Sequence, residues 1–181
     1  MGFQVSSNET IPEEMETILI AGGGKSLDKW KYKLRDLAAN KHTLVAIPTI
    51  WGSGSEVSPI CVIDRKNRKE IFIDQAYLPD RYSYLREFSD SIPQHLAKNA
   101  CGDVWAHALE GFISPLASDK LRQGFSVLIG ELCLMTDFRD FRWFALSSQA
   151  NYYQSQASVG LIHGMAHVLE PLIGQTNWGH A

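Results

Sequence analysis

Thr17-Ile18-Leu19-Ile20-Ala21-Gly22-Gly23-Gly24 is the stretch whose reading decides the fold. A short apolar, β-branched run that stops at three glycines reads as a buried strand entering a tight turn. From Ser26 to Ala39 the apolar residues Leu27, Trp30, Leu34, Leu37 and Ala38 recur at helical spacing, with the lysines and Arg35 assigned to the solvent side. Thr43-Leu44-Val45-Ala46-Ile47 is a second buried strand, closed by Pro48. Strand, helix and strand within about thirty residues make a βαβ unit, so a parallel sheet is expected.

Outward from this unit, residues 1–16 are polar and read as a loose lead-in. On the other side lies a glycine- and hydroxyl-rich segment, Pro48-Thr49-Ile50-Trp51-Gly52-Ser53-Gly54-Ser55-Glu56. Ser58 to Asp64 and Glu70 to Asp74 follow as two strands around a charged turn, Arg65-Lys66-Asn67-Arg68. After Pro93 the pattern becomes helical to the end. A boundary near Ser91 therefore divides an α/β part, 1–91, from a helical part, 92–181.

Composition narrows the function. In 181 residues, 45% apolar and 20% charged, the chain has room for a real core, and its net charge of −3 gives no electrostatic case for nucleic acid. Cys61, Cys101 and Cys133 form no CxxC pair, which argues for a reducing compartment and against a thiolate zinc site. No signal peptide and no bilayer-length apolar run is visible, so the cytoplasm is the expected location.

Two stretches carry chemistry. In Gly102-Asp103-Val104-Trp105-Ala106-His107-Ala108-Leu109-Glu110, a carboxylate and an imidazole stand four residues apart and share a helix face. Both are normal ligands of zinc or ferrous iron. His163 and His167, in Gly160-Leu161-Ile162-His163-Gly164-Met165-Ala166-His167, repeat that spacing, but Gly164 stands where an HExxH hydrolase needs its glutamate. His180 is a further candidate ligand. Gly22 to Gly24, between strand and helix, suits a phosphate or a purely structural turn, and it lacks both the GxGxxG and the P-loop spacing. The Pro48 to Glu56 loop ends the next strand on the same sheet edge, where α/β proteins bind ligands.

Together these elements resemble the iron-containing alcohol dehydrogenase family, the group III dehydrogenases, related in fold to glycerol dehydrogenase and dehydroquinate synthase. The resemblance rests on GGG followed by Asp28 and Lys31, on Pro48 to Glu56, on the DxxxHAxE of Asp103 to Glu110, and on the GxxHGMAH of Gly160 to His167. It implies a partial Rossmann-like nucleotide-binding domain followed by a partial helical metal-binding domain. The metal, Fe2+ or Zn2+, would be held by Asp103, His107, His163 and His180. His167 would lie beside the nicotinamide and substrate. NAD or NADP would meet Gly22, Gly23, Gly24, Lys25 and Asp28, with Thr49, Ile50, Ser53 and Ser55 flanking it. The implied reaction is hydride transfer between nicotinamide and a small alcohol or aldehyde, with the metal as Lewis acid. No membrane or nucleic-acid partner is expected, and a homodimer is the assembly to test for.

The family pattern also implies further elements before the first glycine turn and after the last metal ligand, so the chain is expected to be an internal piece of a longer or split enzyme. Three rival readings stand beside this one. They are a catalytically silent remnant, a dehydroquinate-synthase-like lyase, and a metallohydrolase using Glu110 as its base.

Overall fold

The computed structural model describes residues 17–34, 43–65 and 68–173. Strand β1 (Thr17–Gly22) pairs in parallel with β2 (Thr43–Pro48), in register from Thr17 opposite Thr43 to Gly22 opposite Pro48. Helix α1 (Gly24–Leu34) packs on both strands, as a βαβ unit requires. Alternate residues Ile18, Ile20, Leu44 and Ala46 point into a core closed by Leu27 and Leu34. The helix begins at Gly24, two residues ahead of the expected Ser26, so Gly24 and Lys25 lie in its first turn. The expected continuation to Ala39 lies outside the described residues.

A third strand escaped the sequence reading. β5 (Arg81–Tyr82) pairs in parallel with β2 and gives the sheet order β1-β2-β5. Its two residues are too few to show any alternation, and they are both exposed. Between β2 and β5, strands β3 (Ile60–Arg65) and β4 (Arg68–Ile73) form a separate antiparallel hairpin.

The rest is helical: α2 (Arg86–Ser91), α3 (Gln94–Ile113), α4 (Asp119–Cys133), α5 (Arg142–Gln154) and α6 (Leu161–Ile173). Pro93 precedes α3, where a missing N–H costs nothing and the fixed φ suits a helix start. Ser118 caps α4, its side chain accepting from the Leu121 amide. Helices α3, α4 and α5 pack around Val104, Ala108, Phe125, Leu128, Trp143 and Phe144, a second core distinct from that of the sheet. Trp143 and Phe144 are thus core residues. Among the described residues no helix is long and apolar enough to cross a membrane.

Two residues, Lys31 and Asp28, join α1 to the loop that follows β2. Lys31 is 1% exposed, although the helix pattern assigns it to solvent with the other lysines. Its ammonium donates to the carbonyls of Ser55 (2.8 Å), Ser58 (2.9 Å) and Ile60 (3.0 Å) and to Ser55 Oγ (3.1 Å), and lies 3.4 Å from Asp28 Oδ1. Asp28 in turn accepts from Ser55 Oγ and from the Val62 amide. A buried lysine is tolerable only with such a set of acceptors.

Candidate metal centre and dinucleotide crevice

Helix α3 builds the centre from one face. Asp103, His107 and Glu110 stand at i, i+4 and i+7, so all three side chains project the same way, and all are buried. The N-terminal half of α6 brings in His163. One ligand atom from each of Asp103, His107 and His163 falls within 4.8 Å of the others. His163 Nε2 is 3.6 Å and His107 Nδ1 3.8 Å from Asp103 Oδ1, and the two rings lie 4.4 Å apart, centroid to centroid.

The imidazoles are oriented from behind. His107 Nδ1 lies 3.2 Å from the carbonyl of Gly52, which can only accept, so Nδ1 carries the proton and Nε2 keeps a lone pair. His163 Nδ1 lies 2.5 Å from Glu110 Oε2, leaving Nε2 to face Asp103. Burial pushes the Glu110 carboxyl up, but the His163 imidazole and the Ile162 and Gly160 amides outweigh it and hold it below the ordinary range. Burial likewise pushes His163 down, and the Asp103 and Glu110 carboxylates overcome it, raising the imidazole above its usual value.

The Pro48 to Glu56 loop forms the wall between this centre and the sheet. Gly52 (φ 113°) and Gly54 (φ 58°) adopt left-handed backbone that other residues resist. A Cβ on Gly52 would stand 3.1 Å from Asp103 Oδ2. Helix α5 pins the loop: Ser147 Oγ accepts from the Gly52 amide (2.9 Å), and Asn151 Nδ2 donates to the Ser53 carbonyl (2.6 Å). The Trp51 indole N–H points at Cys101 Sγ (3.3 Å), fastening the loop to α3 as well.

Glu56, at the end of this loop, is buried against Ser148, which also meets the Tyr84 hydroxyl at 2.5 Å. Burial pushes the Glu56 carboxyl up; Ser148 and Lys31 only partly offset this. The folded chain therefore holds this proton to higher pH than the unfolded chain does. The resulting stability is complete below the ordinary carboxylate range and is lost as pH rises through the elevated folded value. Glu56→Gln, which keeps the shape and cannot ionise, should match the unmodified protein in acid and exceed it at neutral pH. Urea denaturation across pH measures the difference, whose slope is at most about 1.4 kcal/mol per pH unit for one proton.

The glycine turn and this loop meet at the C-terminal ends of β1 and β2. The Thr49 amide donates to the Gly22 carbonyl (3.1 Å). A Cβ on Gly24 would come within 2.2 Å of Ser53 Oγ, so glycine permits the two segments to touch. Gly23, Gly24, Thr49, Ile50 and Ser53 are half-buried along this crevice, and the first amides of α1 have no acceptor within the helix. Asp28 and Ser55 are both buried and bonded to each other, tying α1 to the Pro48 to Glu56 loop. Lys25 is half-exposed and pairs with Asp64 at 3.2 Å. His167 is half-buried one turn beyond His163, and His180 lies outside the described residues.

Three features of the site escaped the sequence reading. The Gly52 carbonyl could not be foreseen, because a backbone contact fifty-five positions away leaves no residue-type signal. The part played by Ser147 and Asn151 was equally silent. Glu110 was legible in one respect, since its i+7 spacing from Asp103 put it on the ligand face. The role considered for it, general base, does not survive: both its oxygens are taken up behind His163.

No family model matches the chain. The 1-propanol dehydrogenase PduQ of Salmonella typhimurium is 32% identical over 171 residues, covering 85% of this chain and 45% of that protein. An iron-containing alcohol dehydrogenase from Thermococcus thioreducens superposes with a TM-score of 0.73 at 22% identity, covering 86% of this chain and 49% of the other. Sulfoacetaldehyde reductase from Bifidobacterium kashiwanohense, solved with NAD+, gives 0.72 at 18% identity over 91% of this chain and 50% of the other. The chain thus spans about half the length of these three proteins.

Proposed function

Because the chain belongs to the iron-containing alcohol dehydrogenase family, we propose that it supplies the metal centre and part of the dinucleotide crevice of an enzyme moving hydride between nicotinamide and a small alcohol or carbonyl compound. The observation that carries this reading is the convergence of Asp103, His107 and His163 from two helices on one buried point. The donor set fits a divalent ion. It offers one carboxylate and two imidazoles, which in the neutral form that binds a metal give a net charge of −1, with Gly52 and Glu110 facing the Nδ1 atoms from behind. When bound, a divalent cation would polarise the substrate oxygen, and a nicotinamide dinucleotide would carry the hydride.

The chain's own contribution is positional. The carboxylate of Asp103 leaves a divalent ion with net positive charge, which suits developing negative charge on a substrate oxygen. The loop from Trp51 to Gly54 and the face of α3 exclude water from the ligand side. First-turn amides of α1 at Gly24 and Lys25 favour a pyrophosphate by charge and by their free N–H groups. His167, one turn from His163, would pass the hydroxyl proton between substrate and solvent through its imidazole nitrogen.

The test is alcohol-dependent reduction of NAD or NADP by anaerobically purified protein, with and without added Fe2+ or Zn2+. Metal-dependent turnover of small primary alcohols is expected. Metal-independent turnover, or tight metal binding without any dinucleotide binding, would count against this reading.

A further inference from the structure

We infer that Glu110 is a positioning residue that sets the metal affinity of the centre, by clamping both His163 and the N-terminus of α6 onto the helix that carries Asp103 and His107. This rests on the metal reading above and concerns a residue that is not a ligand.

Glu110 is 4% exposed, and each of its oxygens is engaged by α6 or by the residue ahead of it. Oε2 accepts from the Gly160 amide (3.1 Å) and faces His163 Nδ1 (2.5 Å); Oε1 accepts from the Ile162 amide (2.5 Å). Gly160 and Ile162 flank the start of α6, where amides lack intrahelical acceptors and the helix dipole favours a negative charge. The chain offers no Ser, Thr, Asp or Asn at that cap, because Gly160 occupies it. Glu110 serves as the cap from fifty positions away in sequence. Glycine also leaves room for this contact: a Cβ on Gly160 would stand 2.7 Å from Glu110 Oε1, and the carboxylate would have to shift.

This clamp matters because apolar packing does little to hold the first turns of α6. Leu161, Ile162, Met165, Val168 and Leu169 are all exposed, so residues 161–169 bury little apolar surface against the other described residues. The remaining ties of α6 include a Lys69–Glu170 ion pair to β4. A ligand carried on a weakly packed helix is only as well placed as the contacts that dock the helix. The Glu110 carboxylate supplies that docking, and by accepting the Nδ1 proton it turns the lone pair of His163 Nε2 toward the point that Asp103 and His107 share.

Metal binding and docking of the α6 N-terminus should therefore be reciprocally coupled. Glu110→Gln separates the two functions. Its amide oxygen can still accept from the Ile162 or Gly160 amide, while its NH2 group cannot accept from His163 Nδ1. Co2+ affinity, read by competition with a chromophoric chelator, is expected to fall about 10- to 100-fold in the folded variant. The Co2+ absorption bands should change shape as the His163 ligand is loosened. Equal affinity and unchanged bands would overturn the inference and leave Glu110 a cap alone. If the variant fails to fold, the unmodified protein decides: Co2+ should slow amide exchange at Gly160 and Ile162 at least about tenfold if binding and docking are linked. Unaltered exchange at both amides with Co2+ bound would overturn it. Absence of Co2+ binding by the unmodified protein would overturn the metal reading beneath it.

Discussion

His163→Ala is expected to abolish metal-dependent activity and to lower Co2+ or Zn2+ affinity by more than the about 10- to 100-fold typical of losing an outer-shell partner. It removes one of three donors that converge within 4.8 Å, and the one contributed by a different helix from the other two. It also withdraws the imidazole between two buried carboxylates, Asp103 and Glu110, which stand on the same face of α3. Removing one partner from a buried pair of charged groups typically costs about 3–5 kcal/mol, because the remaining group keeps its desolvation penalty. Metal-free His163→Ala should thus unfold at clearly lower urea concentration than metal-free unmodified protein. Measuring both forms without metal separates this structural cost from the lost ligand. A variant with unchanged metal affinity would remove α6 from the centre.

Lys31→Met is expected to produce the largest loss of stability outside the metal centre. Methionine keeps much of the stem and removes the ammonium, which serves Ser55 O, Ser55 Oγ, Ser58 O, Ile60 O and Asp28 together. The side chain of Lys31 has no exposed surface and that of Asp28 very little, so water cannot readily replace the lost donors. Breaking one partner out of such a pair costs about 3–5 kcal/mol, and stranded carbonyl acceptors add to it. Urea denaturation measures the total. Amide exchange at Val62, which donates to Asp28 Oδ2 at 2.9 Å, reports whether the loop has loosened locally. A loss below about 1 kcal/mol would place Lys31 among ordinary surface lysines.

These two residues show what the sequence could and could not convey. The periodicity of Leu27, Trp30 and Leu34 located α1, and position 31, four beyond Leu27, falls on its buried face. Charge alone sent Lys31 to the solvent side; apart from Asp28 on the same helix, its acceptors come from residues 55–60, whose path no local pattern specifies. His163 was legible because its spacing to His167 marks a helix face and because GxxHGMAH resembles a known family. The i, i+4 spacing of Asp103 and His107 was legible for the same geometric reason. Glu110 lay in plain view on that face, yet its function depends on an amide and an imidazole about fifty residues later. Strand β5 was hidden because two exposed residues carry no alternation, and it exists through pairing with β2 and through Asp80, which accepts from the Leu44 amide at 2.8 Å. Local rules therefore located most of the elements and the residues that cluster, Asp103, His107 and His163, while the contacts that orient them are long-range and became visible only in three dimensions.

The central claim is that Asp103, His107 and His163 form one metal centre, and the most direct measurement is a Co2+ titration of metal-free protein beside Asp103→Asn. Asparagine keeps the shape of the side chain and removes the charge and one acceptor oxygen. The unmodified protein should take up a single ion per chain with the absorption of a mixed nitrogen and oxygen site, and Asp103→Asn should lose that uptake. Identical titration curves for the two proteins, or no uptake by either, would contradict the account.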